Sequence, residues 1–90
     1  MKKIQVVCGN GLGTSLMMEM AVKEVITKLG VEAQVDHEDL SSSASSEADI
    51  WVAATDIAVQ LKDAGKMNII SLANIFDKAD IEAQLKEIIN

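Results

Sequence analysis

The chain has 90 residues, a formal net charge of −6 and 49% apolar residues, and Trp51 and Phe76 are its only aromatic residues. This length predicts one domain spanning residues 1–90, and the acidic balance, which repels phosphate backbones and anionic membrane surfaces, argues against a nucleic-acid ligand. No apolar segment approaches the ~18 residues of a membrane span and one cysteine cannot form an internal disulfide, so we expect a cytoplasmic chain without direct membrane insertion.

The first half of the chain alternates strand and helix patterns. KIQVVC is a short β-branched run that predicts a buried strand ending at Cys8. From Ser15 to Leu29 the apolar residues recur every three or four positions, which predicts a helix that stops at Gly30. VEAQVDH then alternates strictly between apolar and polar residues, as a half-exposed edge strand does.

The middle of the chain contains a loop, a strand and a helix. The serine-rich segment SSSASSEAD predicts a flexible loop, and DIWVAAT predicts a third, buried strand. Thr55 or Asp56 can cap the short helix that follows, which we expect to end at Gly65.

The last part of the chain contains one strand and one helix. MNIISLA predicts the fourth strand. Asp77 is placed as the N-cap of the final helix, and Phe76 and Ile81 have the spacing of a hydrophobic staple.

Four strands alternating with three helices predict an α/β fold, with a four-stranded parallel sheet, right-handed crossovers and helices on both faces. Because strand two has an edge pattern, we expect the strand order 2-1-3-4, a Rossmann-like arrangement. In that order a crevice opens at the carboxyl ends of strands one and three, and the segment VVCGNGLGTS lies there.

The glycine-rich turn in this segment differs from two well-known phosphate-binding loops. Gly9, Gly11 and Gly13 follow the spacing G-x-G-x-G rather than the dinucleotide fingerprint G-x-G-x-x-G. A Walker A loop requires a lysine after its last glycine, but no lysine occurs between Lys3 and Lys23.

The loop has the length of the cysteine-phosphatase loop, in which five residues separate cysteine from arginine. Thr14 occupies the arginine position, and the chain contains no arginine that could clamp a phosphate dianion. A phosphate-ester hydrolase is therefore one alternative function, and a non-enzymatic anion- or nucleotide-binding module is another.

The remaining interpretation is a reactive thiol in an anion-binding turn. The positive end of the following helix favours the thiolate of Cys8, and the same backbone amides would hold a phosphoryl group bonded to sulfur. The alternative is that Cys8 has no chemical role and packs as a small apolar residue at the end of a strand. No cofactor and no metal site are predicted.

The segment IQVVCGNGLGTS, residues 4 to 15, resembles the start of an enzyme IIB component of the bacterial phosphoenolpyruvate-dependent sugar phosphotransferase system. The resemblance is closest to the ascorbate/galactitol-type group, since lactose/cellobiose-type loops read closer to C-x-x-G-M-S-T-S. It implies a phosphoryl relay in which a IIA phosphohistidine phosphorylates Cys8. The membrane component IIC then passes the phosphoryl group from Cys8 to the incoming carbohydrate.

Roles for individual residues follow from their positions. Cys8 is the predicted nucleophile, and Thr14 or Ser15 would donate a hydroxyl and cap the first helix. His37 could act as a base, and Asp56 faces the crevice but fits a cap better. The predicted phosphate cradle comprises Gly9, Asn10, Gly11, Leu12, Gly13, Thr14 and Ser15.

Leu16 and Met20 do not fit the apolar stripe of the first helix. They fall on the opposite side, with Glu19 and other polar residues, and Met17 lies at the border. We expect an exposed apolar patch of Leu16, Met17 and Met20 beside Cys8, suited to docking IIA and IIC over one cysteine.

Overall fold

The computed structural model describes residues 2–8, 12–43 and 45–89, and within them an alternating series of strands and helices. The elements in chain order are β1 (Lys2–Cys8), α1 (Leu12–Leu29), β2 (Ala33–Asp39), α2 (Leu40–Ser43), β3 (Ile50–Ala54), α3 (Thr55–Asp63), β4 (Ile69–Leu72) and α4 (Lys78–Ile89).

The four strands form one parallel sheet in the order β2-β1-β3-β4, which confirms the predicted topology. β1 is central and its residues from Ile4 to Val7 are buried, as expected for a strand covered on both faces. From β1 the chain continues to β2 at one edge of the sheet, and it then returns to β3 on the other side of β1 and continues to β4 at the opposite edge. The carboxyl ends of β1 and β3 therefore form the switch point at which ligands bind in open α/β sheets.

Helices cover both faces of the sheet, as predicted. α1 and α4 pack on one face, where the larger core cluster includes Ile4, Val6, Met18, Val22, Val52, Ile81 and Leu85. α3 packs on the other face, where a smaller cluster is built from Val7, Trp51, Ala53, Ile57, Ala58 and Leu61. Trp51 is 2% exposed, and the Lys66 ammonium lies 4.8 Å from the centre of its ring.

A fourth helix, α2, occupies the start of the segment predicted to be a flexible serine-rich loop, so the prediction of three helices is wrong. β2 also continues to Asp39, two residues beyond the predicted strand end. The Asp39 carboxylate accepts hydrogen bonds from the Ser42 amide at 2.8 Å and the Ser41 hydroxyl at 3.0 Å. These bonds stabilise the start of α2, since a side-chain oxygen satisfies an amide without a partner inside the helix.

Two further local predictions are corrected. Thr55 and Asp56 lie within α3, and the N-cap position is Ala54, which makes no side-chain capping bond. Phe76, the proposed staple partner of Ile81, is 58% exposed, whereas its neighbour Ile75 packs against the core cluster that contains Ile81.

The predicted N-cap of α4 is confirmed, because the Asp77 carboxylate accepts a hydrogen bond from the Asp80 amide at 3.1 Å. We expect Asp77→Ala to lower the free energy of unfolding by about 1 kcal/mol, because it leaves that amide without its cap while α4 still buries Ile81 and Leu85. Urea unfolding followed by circular dichroism measures the change. Asp77→Asn should retain the stability of the wild type, and an equal loss in both variants would mean that the cap is not the cause.

Candidate active site

Cys8 is the last residue of β1, and its side chain is partly buried. α1 begins four positions later at Leu12, so the thiol lies where a central strand leads into a helix. Gly9, Asn10 and Gly11 lie outside the described residues, as do the side chains of Leu12, Thr14 and Ser15, and the backbone of Gly13 lies in the first turn of α1. Their predicted contacts with phosphate therefore remain predictions.

α1 begins earlier in the chain than predicted, which places part of the predicted anion-binding segment in the first turn of the helix. The helix begins at Leu12 rather than at Ser15, so Thr14 and Ser15 are its third and fourth residues and neither occupies the N-cap position. The backbone amides of the first helical turn have no partner within a helix, and the helix dipole adds positive potential there. Part of the predicted cradle is thus helix N-terminus rather than loop.

Asp39 is a functional candidate that sequence reasoning missed. The parallel register of β1 and β2 pairs Cys8 with Asp39, so a carboxylate is carried by the strand neighbour of the thiol. Hydrogen bonds, the strongest from the Ser42 backbone amide, lower the pKa of the Asp39 carboxyl below its ordinary value. The sequence contained one signal, since an aspartate three residues before Ser42 is a common helix N-cap pattern.

His37 lies on the face of the sheet covered by α1, as its parity with Val35 predicted. Its Nδ1 lies 3.1 Å from Oε2 of Glu19, and in the register of the sheet it pairs with Val6, two residues before Cys8. A role for His37 as a base remains a prediction. Asp56, the other proposed crevice residue, is exposed in the first turn of α3.

Glu19 was expected on the exposed side of α1 but is only 7% exposed, so that expectation is wrong. Glu19 sits at the edge of the apolar stripe, where His37 of β2 covers it and Lys23 lies 3.6 Å from its other carboxylate oxygen. Two cationic or hydrogen-bonding partners allow a carboxylate to be buried there.

Leu16, Met17 and Met20 form the predicted exposed patch, hereafter the α1 patch. Their side chains are 48%, 52% and 59% exposed, which confirms the helical phase assigned to them. Met17 and Met20 also line a mainly apolar groove of about 250 Å³ together with Phe76. The groove is edged by the ion pair between Lys78 and Glu24. An apolar surface with a charged edge is thus found on the first turns after the predicted phosphate-binding segment.

Within the described ranges 2–8, 12–43 and 45–89, no helix combines the length and the hydrophobicity that a membrane crossing requires.

Comparison with known proteins places this arrangement in a family. The family model of the lactose/cellobiose-specific IIB subunit of the phosphotransferase system matches residues 3–87. Ascorbate-specific EIIB components from Salmonella typhimurium LT2 and Escherichia coli O157:H7 are 33% identical over 89 residues, covering 97% of this chain and 88% of each relative. The lactose-specific IIB domain from Streptococcus pneumoniae shares the fold, with a TM-score of 0.69 at 15% identity over 98% of this chain and 94% of that one. The resemblance of residues 4–15 is confirmed, and the chain belongs to the IIB family of the sugar phosphotransferase system.

Proposed function

We propose that the chain is a cytoplasmic phosphoryl carrier and transferase in which Cys8 accepts a phosphoryl group from a IIA phosphohistidine. Cys8 then passes this group to a carbohydrate held by the membrane component IIC. The observation that carries the proposal is the position of Cys8 at the switch point of the sheet, four positions before the start of α1, in a chain of the IIB family. IIB components work with IIA and IIC partners, which supports the proposed order of transfer.

The chemistry consists of two displacements at phosphorus. In the first, Sγ of Cys8 attacks phosphorus, the S–P bond forms and the P–N bond breaks. The electron pair of that bond goes to the imidazole nitrogen of IIA, which takes up a proton. In the second, a carbohydrate hydroxyl oxygen attacks phosphorus, the P–S bond breaks, the electron pair returns to sulfur and the hydroxyl proton is released to solvent.

The α1 helix would assist both steps electrostatically. The positive potential of its N-terminus favours the anionic sulfur and the negative phosphoryl group, and its first-turn amides can donate hydrogen bonds to phosphate oxygens. The absence of arginine from the chain fits a carrier, because a phosphoryl group clamped by a guanidinium would be harder to pass on.

The α1 patch supplies a surface on which a partner could dock. We propose that IIA and IIC, in turn, contact Leu16, Met17 and Met20 while reaching Cys8. Flexible methionine side chains suit a surface that must fit two different partners with modest affinity.

Mass spectrometry of the phosphorylated protein tests the proposed function. The probes are a phosphorylated ascorbate-type IIA protein and potassium phosphoramidate, a small donor with the same P–N bond as phosphohistidine. We expect a lasting adduct of one phosphoryl group, located on Cys8 by peptide analysis. Release of inorganic phosphate without an adduct would indicate a hydrolase, and the absence of any covalent product would indicate a binding module; either result would overturn the proposal.

A further inference from the structure

Cys8 and Asp39 end neighbouring strands at the same edge of the sheet. They are paired in the parallel register of β1 and β2, and adjacent strands lie ~4.8 Å apart. The pairing is a consequence of topology, since 30 residues and the whole of α1 separate the two positions along the chain.

The Asp39 carboxylate is held in place and remains ionised at neutral pH. The Ser42 amide and the Ser41 hydroxyl donate hydrogen bonds to its Oδ1 at 2.8 and 3.0 Å. These contacts favour the charged form and hold the pKa of Asp39 below its ordinary value. A negative charge is therefore carried beside the carboxyl end of β1.

The Asp39 charge repels a phosphoryl group on Cys8, whereas the N-terminus of α1 attracts it. Phosphorylation replaces a thiol or thiolate by a phosphothioester, so at least one negative charge is added at Cys8 whichever form reacts. The helix dipole stabilises the added charge, whereas the Asp39 carboxylate repels it.

We propose that Asp39 tunes the relay by destabilising the phosphorylated form of Cys8, which keeps transfer from IIA reversible and favours onward transfer. The inference rests on the proposed function of Cys8 as a phosphoryl carrier. Asp39 forms no bond to phosphorus in this scheme; it acts through its charge on the equilibrium between the phosphorylated and free protein.

Asp39→Asn separates this charge effect from the structural role of the side chain. Asparagine is as good an N-cap as aspartate, so the Ser42 amide keeps an acceptor while the charge is removed. Asp36→Asn is the matched control, because it makes the same change in net charge on the same strand, three residues and ~10 Å away along β2.

The measurement is the equilibrium constant for phosphoryl exchange between the chain and the ascorbate-type IIA probe, approached from both directions and quantified by intact mass. This constant depends only on the free proteins, so weaker docking cannot change it. We expect Asp39→Asn to shift it toward phosphorylated Cys8 by about three- to tenfold at low salt and by about two- to threefold at physiological salt, as Coulomb's law gives for one or two added charges ~6 Å away through water. At physiological salt Asp36→Asn should shift it by less than about 1.5-fold, because the charge is then more than one Debye length from Cys8.

The salt dependence of this equilibrium constant distinguishes a charge effect from a structural change, because salt screens only the charge effect. At 1 M NaCl the Debye length is ~3 Å, so the shift seen for Asp39→Asn at low salt should fall below about 1.5-fold. An unchanged constant for Asp39→Asn, an equal shift for Asp36→Asn, or a shift that persists at high salt would each refute the tuning role. Absence of label on Cys8 in the wild-type protein would refute the proposed function itself, so the two failures are distinguishable.

Discussion

Cys8→Ser is expected to abolish phosphoryl transfer from IIA, with a loss of more than ~10³-fold, while the domain still folds. Serine is nearly isosteric with cysteine, but its hydroxyl stays protonated at neutral pH and its oxygen is a poor leaving group from phosphorus. The partly buried position predicts a change of about 1 kcal/mol or less in the free energy of unfolding. Phosphoryl incorporation is measured by intact mass and stability by urea unfolding.

His37→Gln is the matched control, because His37 is the only histidine in the chain and hence the only residue of the type that carries the phosphoryl group in IIA. We expect this variant to incorporate a full phosphoryl group on Cys8, since the described polar contact of His37 is with Glu19. Label retained by Cys8→Ser and lost from His37→Gln would assign the phosphoryl group to the histidine and reject the cysteine mechanism.

Leu16→Asp and Met20→Asp are expected to slow transfer from IIA by roughly 10- to 100-fold, the loss typical of a central apolar contact in an interface. Both side chains are about half exposed, so an aspartate there should leave the stability of the domain nearly unchanged. The initial rate of label transfer from phosphorylated IIA at low concentration measures the effect, and onward transfer to carbohydrate in membranes containing IIC should slow in parallel.

Two controls assign the loss to docking. Labelling by potassium phosphoramidate should stay within about twofold of the wild type in both variants, because a small donor needs no protein surface and Cys8 itself is untouched. Val59→Asp introduces the same charge at a 55% exposed apolar residue of α3, on the other face of the sheet, and should transfer at the normal rate. Equal slowing by Val59→Asp would show that added negative charge, rather than the α1 patch, impairs the encounter with IIA.

Sequence periodicity was sufficient for most of the architecture. The alternation of β-branched runs with helical stripes predicted the parallel sheet, its order and the coverage of both faces, all of which are confirmed. Exposure of the α1 patch and the Asp77 cap were predicted for the same reason: helical phase and N-capping depend on residues within one or two turns of each other.

Helix boundaries were less predictable where local signals conflict. Gly13 is a poor helix former, yet α1 already begins at Leu12. Serines favour turns, yet α2 forms from Leu40–Ser43 because Asp39 supplies its capping acceptor. In both places the local signals pointed in two directions, and the structure shows a helix.

The sequence by itself determined the strand–helix order, the position of Cys8 at the end of the first strand and the exposed face of α1, because each depends on neighbours close along the chain. Only the tertiary structure decided that Glu19 is buried against His37 and that Asp39 ends β2 beside Cys8. These contacts join residues 18 and 31 positions apart. They depend on the register of two parallel strands connected by a helix, and hydrophobic periodicity restricts that register only to shifts that keep each side chain on its own face of the sheet.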